Sequence, residues 1–257
     1  MGHDPSWWSI VGACVLAVVG LADDRASLPA VARLGAQVAV GTVAGFALGG
    51  FWAAAAGMLL VPAVVNAVNF MDGINGITSL TMTVWGVSAL AVGVASGVGS
   101  LIVIGAAAAG GSLGFLPYNA PRARMFLGDV GSYLFGGLAA TGVLLAGTRT
   151  TSVAVVLAPL ALYAADTGFA LVRRAVRRES LTQAHREHVY QQLTSGLGFA
   201  HLPVAAAVAF LSAFITVVAW ALPSTAGAAV IALLLVLYLL SPTMLRAKSA
   251  RVRGSKS

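Results

Sequence analysis

Charged residues are scarce in this sequence. Only 9% of its 257 residues are Asp, Glu, Lys or Arg, whereas 59% are hydrophobic; soluble domains carry about 25% charged residues. The 15 basic and eight acidic residues are too few to cover the surface of a soluble protein of this length. Together with a mean hydropathy of +0.91, this scarcity excludes an ordinary soluble domain and indicates a chain surrounded mostly by lipid.

Other absences narrow the function. Cys14 is the single cysteine, so an intramolecular disulfide is excluded. The sequence has no zinc motif, no P-loop, no nucleotide-binding glycine fingerprint and no serine-nucleophile motif. The first six residues lack the basic start of a cleavable signal peptide, and we expect none.

Apolar runs separated by short polar breaks predict an all-α, polytopic membrane protein. We expect residues 1–257 to form a single transmembrane domain with nine spanning helices. Their predicted positions are 7–22, 34–49, 51–68, 78–95, 98–117, 131–147, 151–172, 203–221 and 225–241. Only Gly49-Gly50 separates the second run from the third. A single bent or re-entrant segment there is the alternative, and it would reverse the orientation of every later helix.

The basic residues support nine spans. If the N-terminus lies outside, 14 of the 15 Lys and Arg residues fall in predicted cytosolic segments, and only Arg149 lies outside. This distribution follows the positive-inside rule and predicts an N-out, C-in topology. The net charge of +7 is therefore interpreted as a topology signal and an attraction for anionic lipids and substrates. We expect no nucleic-acid partner.

The acidic residues are equally one-sided, although the positive-inside rule says little about acids. Seven of the eight lie in or beside predicted cytosolic segments: Asp23, Asp24, Asp72, Asp129, Asp166, Glu179 and Glu187. Acids at the ends of apolar helices are functional candidates. Mixed with Arg and His, they predict one polar site at the membrane–cytosol boundary, suited to a divalent metal and a phosphorylated ligand.

Two of the acidic segments have distinctive spacing. Asn66, Asn69 and Asp72 recur every three residues and share one helix face, before Gly73 and Gly76 end the helix. Such a polar face is costly in a membrane unless it is used; polar capping of the helix end is the alternative.

Glycines also surround Asp129, at positions 128 and 131. They leave the backbone open around its carboxylate, and Arg122 and Arg124 lie nearby. The alternative interpretation is that Asp129 or Ser132 is simply the N-cap of the next helix.

The remaining candidates have equally simple alternatives. Asp23 and Asp24 point about 100° apart on a helix, so one of them could be a hydrated helix end. Asp166 lies inside a helix, where a polar helix–helix contact is the alternative. In the basic loop that follows, His185 and His188 have the spacing of metal ligands on a helical turn, but Arg186 and the other flanking arginines favour a phosphate.

Four motifs occur in order along this chain: the Asp23-Asp24 pair with a following RLGAQ, then NAVNFMDGINGI, then RMFLGDVGS, then the loop HREHVYQQL. From about Gly20 to Leu193 the chain resembles the polyprenyl-phosphate glycosyl-1-phosphate transferase family. This family includes phospho-N-acetylmuramoyl-pentapeptide transferase and the undecaprenyl-phosphate GlcNAc-1-phosphate transferases. The loop lacks a run of three histidines, so it resembles the GlcNAc or O-antigen branch more closely than the muramoyl-pentapeptide branch.

The resemblance implies an enzyme that moves an N-acetylhexosamine-1-phosphate from a UDP-sugar to undecaprenyl phosphate and releases UMP. It implies Mg²⁺, with Mn²⁺ as an alternative, bound by Asp129 and Asp72. The catalytic residues would be Asp23, Asp24 and Asp72. Taken together with the residue patterns above, the candidate substrate-binding residues are Asn66, Asn69, Asn75, Arg122, Arg124, Asp166, His185, Arg186, His188 and Tyr190.

The resemblance also implies a bacterial plasma-membrane enzyme, in contact with membrane lipids, whose active site faces the cytoplasm. A homodimer is left open. Family members place two further helices before the Asp23-Asp24 helix, so we expect this sequence to lack that pair. The alternatives to an active transferase are a transporter with a carboxylate site at the inner face and an inactive, truncated family member.

Overall fold

A computed structural model describes residues 6–179, 187–222 and 224–254. The elements in these ranges are all helical, as predicted. They are α1 (Ser6–Ala26), α2 (Ala30–Met71), α3 (Ile77–Ser96), α4 (Gly99–Asn119), α5 (Gly128–Arg149), α6 (Val153–Val176, with a 3-10 turn at Ala158–Leu160), the short α7 (Val189–Gln191), α8 (His201–Ala221) and α9 (Ser224–Gly254). A π-helical turn, Gln192–Gly196, follows α7.

The 42-residue stretch of α2 is a hairpin. Gly49 and Gly50 have non-helical backbone angles, and Gly50 has a positive φ of 75°, a conformation that glycine adopts without strain. On either side of this turn the two arms pack closely: a side chain on Gly41 would collide with the carbonyl of Gly57. Residues 16 positions apart meet only if the chain reverses, so the arms 30–48 and 51–71 run antiparallel.

This hairpin confirms the predicted span count. Eight described helices are long and apolar enough to cross a membrane. Helix α2 crosses twice, because its 42 residues amount to about 63 Å of helix, which is twice the roughly 30 Å thickness of the hydrocarbon layer. Nine crossings therefore lie within the described residues. The ends that carry Ala26, Met71, Asn119, Gly128 and Val176 all lie on one side, which we call the Asp-rich face.

Helix α5 forms the centre of the bundle, and α1 and the second arm of α2 pack against it. Small residues let these helices approach. A side chain on Gly136 would collide with the backbone of Val65, and one on Gly20 would collide with the backbone of Asp129. Such contacts favour association in lipid, where packing replaces the hydrophobic effect between helices. They also bring the ends of α1, α2 and α5 together at the Asp-rich face.

Apolar side chains cover the outside of the bundle. Phe51 and Trp52 are exposed beside the hairpin turn of α2, at the face opposite the acids, where aromatic residues commonly meet the membrane interface. Helix α9 exposes Leu233, Val236 and Leu240. These surfaces are those expected of helices that contact lipid.

Candidate functional site at the Asp-rich face

Asp23, near the end of α1, is buried and paired. Its Oδ2 atom lies 2.7 Å from Arg33 Nη1, which comes from the start of α2. Its Oδ1 atom accepts a 2.7 Å hydrogen bond from the backbone N–H of Leu28. The carboxylate therefore closes the turn between α1 and α2.

Asp24 has a different orientation. Its two carboxylate oxygens accept hydrogen bonds from the backbone N–H groups of Asp129 (2.9 Å) and Val130 (3.0 Å). These amides belong to the first turn of α5, where helical N–H groups lack partners within the helix. Asp24 thus caps α5 from another helix, an interaction that the positive end of the α5 dipole strengthens.

Asp129 lies in that first turn of α5 and connects it to α2. The side-chain amide of Asn69 donates a 2.6 Å hydrogen bond to Asp129 Oδ1 and a 3.0 Å hydrogen bond to Ser132 Oγ. The sequence predicted that Asn69 and Asp129 belong to one site, and the structure brings them into contact.

A polar cavity of about 330 Å³ opens beside this contact. Asn69, Asp72, Asn75, Asn119, Phe126 and Asp129 line it, together with the backbone of Gly73 and Gly128. The loop on its far side is fixed by Asn119, whose Oδ1 accepts a 2.6 Å hydrogen bond from Gly76 N–H and whose Nδ2 donates to the Met125 carbonyl. Asn75 donates from Nδ2 to the Pro121 carbonyl at 3.1 Å. Three of the predicted candidates, one from the end of α2 and two from the segment that follows it, therefore meet Asp129 in one cavity.

The acids around this cavity leave it negatively charged. Asp23, Asp24 and Asp129 lie close enough to interact electrostatically, and Asp129 in turn affects Asp72. Burial raises the pKa of Asp72 to about 7, and the negative charge of Asp129 contributes to the rise. Arg33 neutralises only Asp23. A divalent cation in the cavity would stabilise the remaining carboxylates in their charged form.

The cavity is lined by hard oxygen donors of the kind that Mg²⁺ prefers. They are the carboxylates of Asp72 and Asp129 and the amide oxygens of Asn69 and Asn75. In the part of the chain that the structure describes, no group of three or more His, Cys, Asp or Glu side chains is arranged to hold a metal. Mg²⁺ commonly takes only one or two carboxylates from a protein and completes its shell with water and phosphate oxygens. The donor set therefore fits a metal that binds together with a phosphorylated ligand.

A second, apolar cavity of about 630 Å³ lies within the bundle. Helices α2, α6, α8 and α9 line it with side chains that include Leu60, Val64, Leu157, Ile215, Ala219 and Ile231. It also includes Phe70, at the Asp-rich end of α2, and Leu222, at the opposite end of α8. An elongated hydrocarbon group would match these walls.

Asn66 lies on the wall of the apolar cavity and not of the polar one. Its side-chain amide donates hydrogen bonds to Gln37 Oε1 (2.7 Å) in the other arm of α2 and to the Pro62 carbonyl (2.8 Å). Asn66 shares a helix face with Asn69, as predicted. The two amides are one helical turn apart, however, and Asn66 lines the apolar cavity whereas Asn69 lines the polar one. In the structure its main contact joins the arms of the hairpin.

Arg122 and Arg124 lie in the loop between α4 and α5 and are exposed. The Arg124 guanidinium lies 6.0 Å from the centre of the Tyr118 ring. Neither arginine lines the polar cavity, and they precede its lining residue Phe126 by four and two positions in the sequence. They can attract an anionic ligand towards the entrance without touching the carboxylates.

Asp166 and His188 form a separate, buried cluster. Asp166 is 1% exposed and His188 is 2% exposed, and His188 Nδ1 lies 3.1 Å from Asp166 Oδ1. Tyr190, also buried, donates a 3.0 Å hydrogen bond to the Phe70 carbonyl. The predicted candidates His185 and Arg186 lie outside the described residues.

Four residues of these sites were not predicted from the sequence: Arg33, Gln37, Asn119 and Phe126. Arg33 and Gln37 were counted as a topology signal and as part of an apolar run. Phe126 is 80% exposed although it is aromatic, and only the structure shows that it borders the polar cavity. The motif RMFLGDVGS contained a signal for it, because an aromatic residue beside a catalytic loop suits a planar ligand.

The amino-acid sequence is similar to those of known proteins over much of its length. The model of glycosyl transferase family 4 matches residues 6–147. Phospho-N-acetylmuramoyl-pentapeptide-transferase of Moorella thermoacetica is 39% identical over 173 residues, which cover 55% of this chain and 52% of that protein. A probable undecaprenyl-phosphate N-acetylglucosaminyl 1-phosphate transferase of Bacillus subtilis is 26% identical over 211 residues, or 74% of this chain and 58% of that protein.

A decaprenyl-phosphate N-acetylglucosaminephosphotransferase of Mycobacterium leprae is 29% identical over 261 residues, covering 84% of this chain and 63% of that protein. The chain therefore spans between half and two thirds of the length of these relatives. The muramoyl-pentapeptide relative has the higher identity, whereas the two GlcNAc relatives match over more of the chain.

Proposed function

Because the chain belongs to glycosyl transferase family 4, we propose that it transfers an N-acetylhexosamine-1-phosphate from a UDP-sugar to undecaprenyl phosphate. The reaction releases UMP and starts the synthesis of a lipid-linked glycan of the bacterial cell envelope. In this proposal the protein lies in the plasma membrane, with the Asp-rich face towards the cytoplasm, as the distribution of arginines predicts.

One observation carries the proposal: the polar and the apolar cavities share the second arm of α2. Asn66 and Phe70 line the apolar cavity, while Asn69 and Asp72 line the polar one. These positions lie within two turns of a single helix. The arrangement suits a reaction between one substrate dissolved in lipid and another dissolved in the cytosol.

The chemistry requires little more than placement and charge neutralisation. A phosphate monoester has a second pKa near 6, so the lipid phosphate is largely a dianion at pH 7 and is already nucleophilic. One of its oxygens attacks the phosphorus that bears the sugar, the bond to the UMP phosphate breaks, and UMP leaves with the bond's electron pair. Phosphoryl transfer of this kind is catalysed mainly by positioning and electrostatic stabilisation.

Asp129 and Asp72 would hold Mg²⁺, or Mn²⁺ in its place, at the polar cavity. When bound, the metal supplies positive charge that offsets the pyrophosphate and the carboxylates around it. Asn69 orients the Asp129 carboxylate, since its amide donates a 2.6 Å hydrogen bond to Oδ1.

The carboxylates of both aspartates of α1 already accept hydrogen bonds within the protein. Asp24 accepts them from two backbone N–H groups of α5, and Asp23 accepts them from the Arg33 side chain and the Leu28 backbone N–H. These contacts support a role in shaping and charging the site, and they favour direct attack by the lipid phosphate over a covalent phosphate on either aspartate.

The uridine of the donor substrate would occupy the polar cavity between Phe126 and Asn119. An exposed aromatic ring offers a stacking surface for a base, and the cavity also holds the side-chain amides of Asn75 and Asn119. Arg122 and Arg124 would attract the pyrophosphate. His185 and Arg186 remain candidate contacts for the sugar nucleotide.

We further propose UDP-GlcNAc, or a related N-acetylhexosamine nucleotide, as the donor. The sequence HREHVYQQL of the basic loop, which lacks a run of three histidines, supports this donor. The long matches to GlcNAc-phosphate transferases also support it.

A membrane assay tests the function. The full chain, in lipid nanodiscs that contain undecaprenyl phosphate and Mg²⁺, should convert radiolabelled UDP-GlcNAc into a lipid-extractable product and release UMP. A panel that includes UDP-MurNAc-pentapeptide and other UDP-sugars identifies the donor. Failure of every UDP-sugar to label lipid, in a preparation that retains its helical content, would contradict the proposed activity.

A further inference from the structure

Asp166 is a buried carboxylate whose contacts are all within the protein. The backbone N–H of Val189 donates to both of its oxygens, at 3.2 and 3.0 Å. The Tyr238 hydroxyl donates to Oδ2 at 2.8 Å, and His188 Nδ1 lies 3.1 Å from Oδ1. Both oxygens of this buried carboxylate therefore have hydrogen-bond partners within the protein, as buried polar groups require.

The segment that Asp166 holds is the turn His188–Gln191, which returns the chain to the bundle after the basic loop. His188 stacks on Tyr190, with ring centres 5.7 Å apart and planes within 13° of parallel. The Gln191 side chain accepts a hydrogen bond from the His188 backbone N–H at 3.3 Å. The turn is thus a compact unit that the Asp166 carboxylate joins to α6, beside the Arg177–Glu187 ion pair at the end of that helix.

This turn reaches the polar cavity through Tyr190. The Tyr190 hydroxyl donates to the Phe70 carbonyl in the last turn of α2. Its ring lies so close to Gly73 that any side chain at that position would collide with it. Gly73 lines the polar cavity next to Asp72. A shift of the turn would therefore move the segment that carries Asp72.

Tyr238 joins the last helix to the same unit. Helix α9 has extensive lipid-facing surface, with Leu233, Leu237 and Leu240 exposed, whereas Tyr238 is buried. Its hydroxyl is the donor that links α9 to Asp166. Four elements thus meet at one carboxylate: α6, the His188–Gln191 turn, α9 and, through Tyr190, the end of α2.

We propose that Asp166 and Tyr238 are positioning residues. They hold the His188–Gln191 turn against α2, and thereby set the place of Asp72 in the polar cavity, without contacting a substrate. For Asp166 this replaces the substrate-binding role predicted from the sequence. The structural part of the proposal stands on these contacts alone, and its kinetic part rests on the proposed transferase function.

Hydrogen–deuterium exchange of the full chain in nanodiscs tests the structural part without any substrate. Asp166→Asn keeps one acceptor oxygen but loses the charge, and Tyr238→Phe removes only the hydroxyl. Asp166→Asn should accelerate exchange of residues 187–196 by about tenfold or more, and Tyr238→Phe by a smaller factor, because each removes part of a buried network.

Ser241→Ala is the matched control for Tyr238→Phe. It removes a hydroxyl one turn further along α9 whose hydrogen bond, to the Tyr238 carbonyl, stays within the helix. Exchange of residues 187–196 should be unchanged in this variant. Unchanged exchange in Tyr238→Phe as well would overturn the proposal, and Tyr238→Phe keeps the test available if Asp166→Asn fails to fold.

Kinetics then show which of the two substrates depends on the position of the turn. If the turn positions the part of the site that binds the UDP-sugar, Tyr238→Phe and His188→Ala should raise the KM for the UDP-sugar by about fivefold or more. The KM for polyprenyl phosphate should change by no more than about twofold. An effect confined to the lipid substrate would overturn the inference. If the wild type lacks transferase activity, the proposed function fails, but the exchange experiment still decides whether Asp166 holds the turn.

Discussion

The side-chain amide of Asn69 donates a 2.6 Å hydrogen bond to the Oδ1 atom of Asp129, joining residues 60 positions apart in the sequence. The bond connects the end of α2 to the start of the central helix α5. A second hydrogen bond, from the same amide to Ser132 Oγ, holds the amide plane. The carboxylate that borders the polar cavity is therefore fixed in direction before any ligand binds, which is the preorganisation that electrostatic catalysis requires.

Asp129→Asn should reduce the transfer rate by about 100-fold or more, because it removes charge from the proposed metal site and places an amide opposite the Asn69 amide. We expect expression, membrane insertion and helical content to remain normal. The measurement is kcat at a series of Mg²⁺ concentrations. Thr148→Ala, at the opposite end of the same helix, removes a hydroxyl whose hydrogen bond stays within α5; it is the matched control and should retain most of the activity. Normal turnover of Asp129→Asn at ordinary Mg²⁺ would exclude Asp129 as a metal ligand.

Asp24→Ala should lower the free energy of unfolding by about 0.5–2 kcal/mol, the usual effect of losing a helix cap, because Asp24 receives two N–H groups of α5. Asp24→Asn retains an acceptor oxygen and should lose less. Reversible unfolding in mixed detergent micelles, followed by circular dichroism, measures both. The neighbouring exposed Arg25 provides the control Arg25→Ala. If Asp24→Asn abolishes transfer without changing stability, the carboxylate acts on the substrates directly.

Phe126→Ala should raise the KM for the UDP-sugar by about fivefold to 150-fold, since stacking of a base on an aromatic ring contributes about 1–3 kcal/mol. Phe126→Tyr keeps the ring and should behave almost as the wild type. Phe210→Ala removes an exposed, lipid-facing ring from α8 and should leave the KM unchanged. Equal KM values for Phe126→Ala and the wild type would place the base elsewhere.

Gly41→Ala should destabilise the protein by about 1–3 kcal/mol, because the added methyl group collides with the Gly57 carbonyl across the α2 hairpin. Gly35→Ala, in the same arm of the hairpin, meets nothing within 4 Å and should be neutral or slightly stabilising, because alanine has a higher helix propensity than glycine. The same micelle unfolding measurement compares the two. Equal stability of these variants would contradict the close approach of the two arms.

Much of the architecture could be predicted from the sequence because the physical cause is local. Apolar runs of sufficient length specify the crossings, and the Gly49-Gly50 pair marks the reversal within α2. The Asn66, Asn69 and Asp72 spacing places these side chains along one helix face. The order of the motifs and the alternation of crossings also predict that Asp72 and Asp129 lie on the same side of the membrane.

Only the tertiary structure decided where each polar side chain points. The Asp24 side chain binds the backbone amides of α5, and the Asp166 side chain binds Tyr238 and the His188–Gln191 segment. The Asn66 side chain binds Gln37 in the opposite arm of the hairpin. These contacts depend on how each helix is rotated about its axis and on partners up to 106 residues away in the sequence. Local periodicity predicts neither the rotation nor the distant partner. A carboxylate at a helix end looks the same in sequence whether it caps a neighbour or faces a cavity, because the difference lies in contacts that form only when the helices pack.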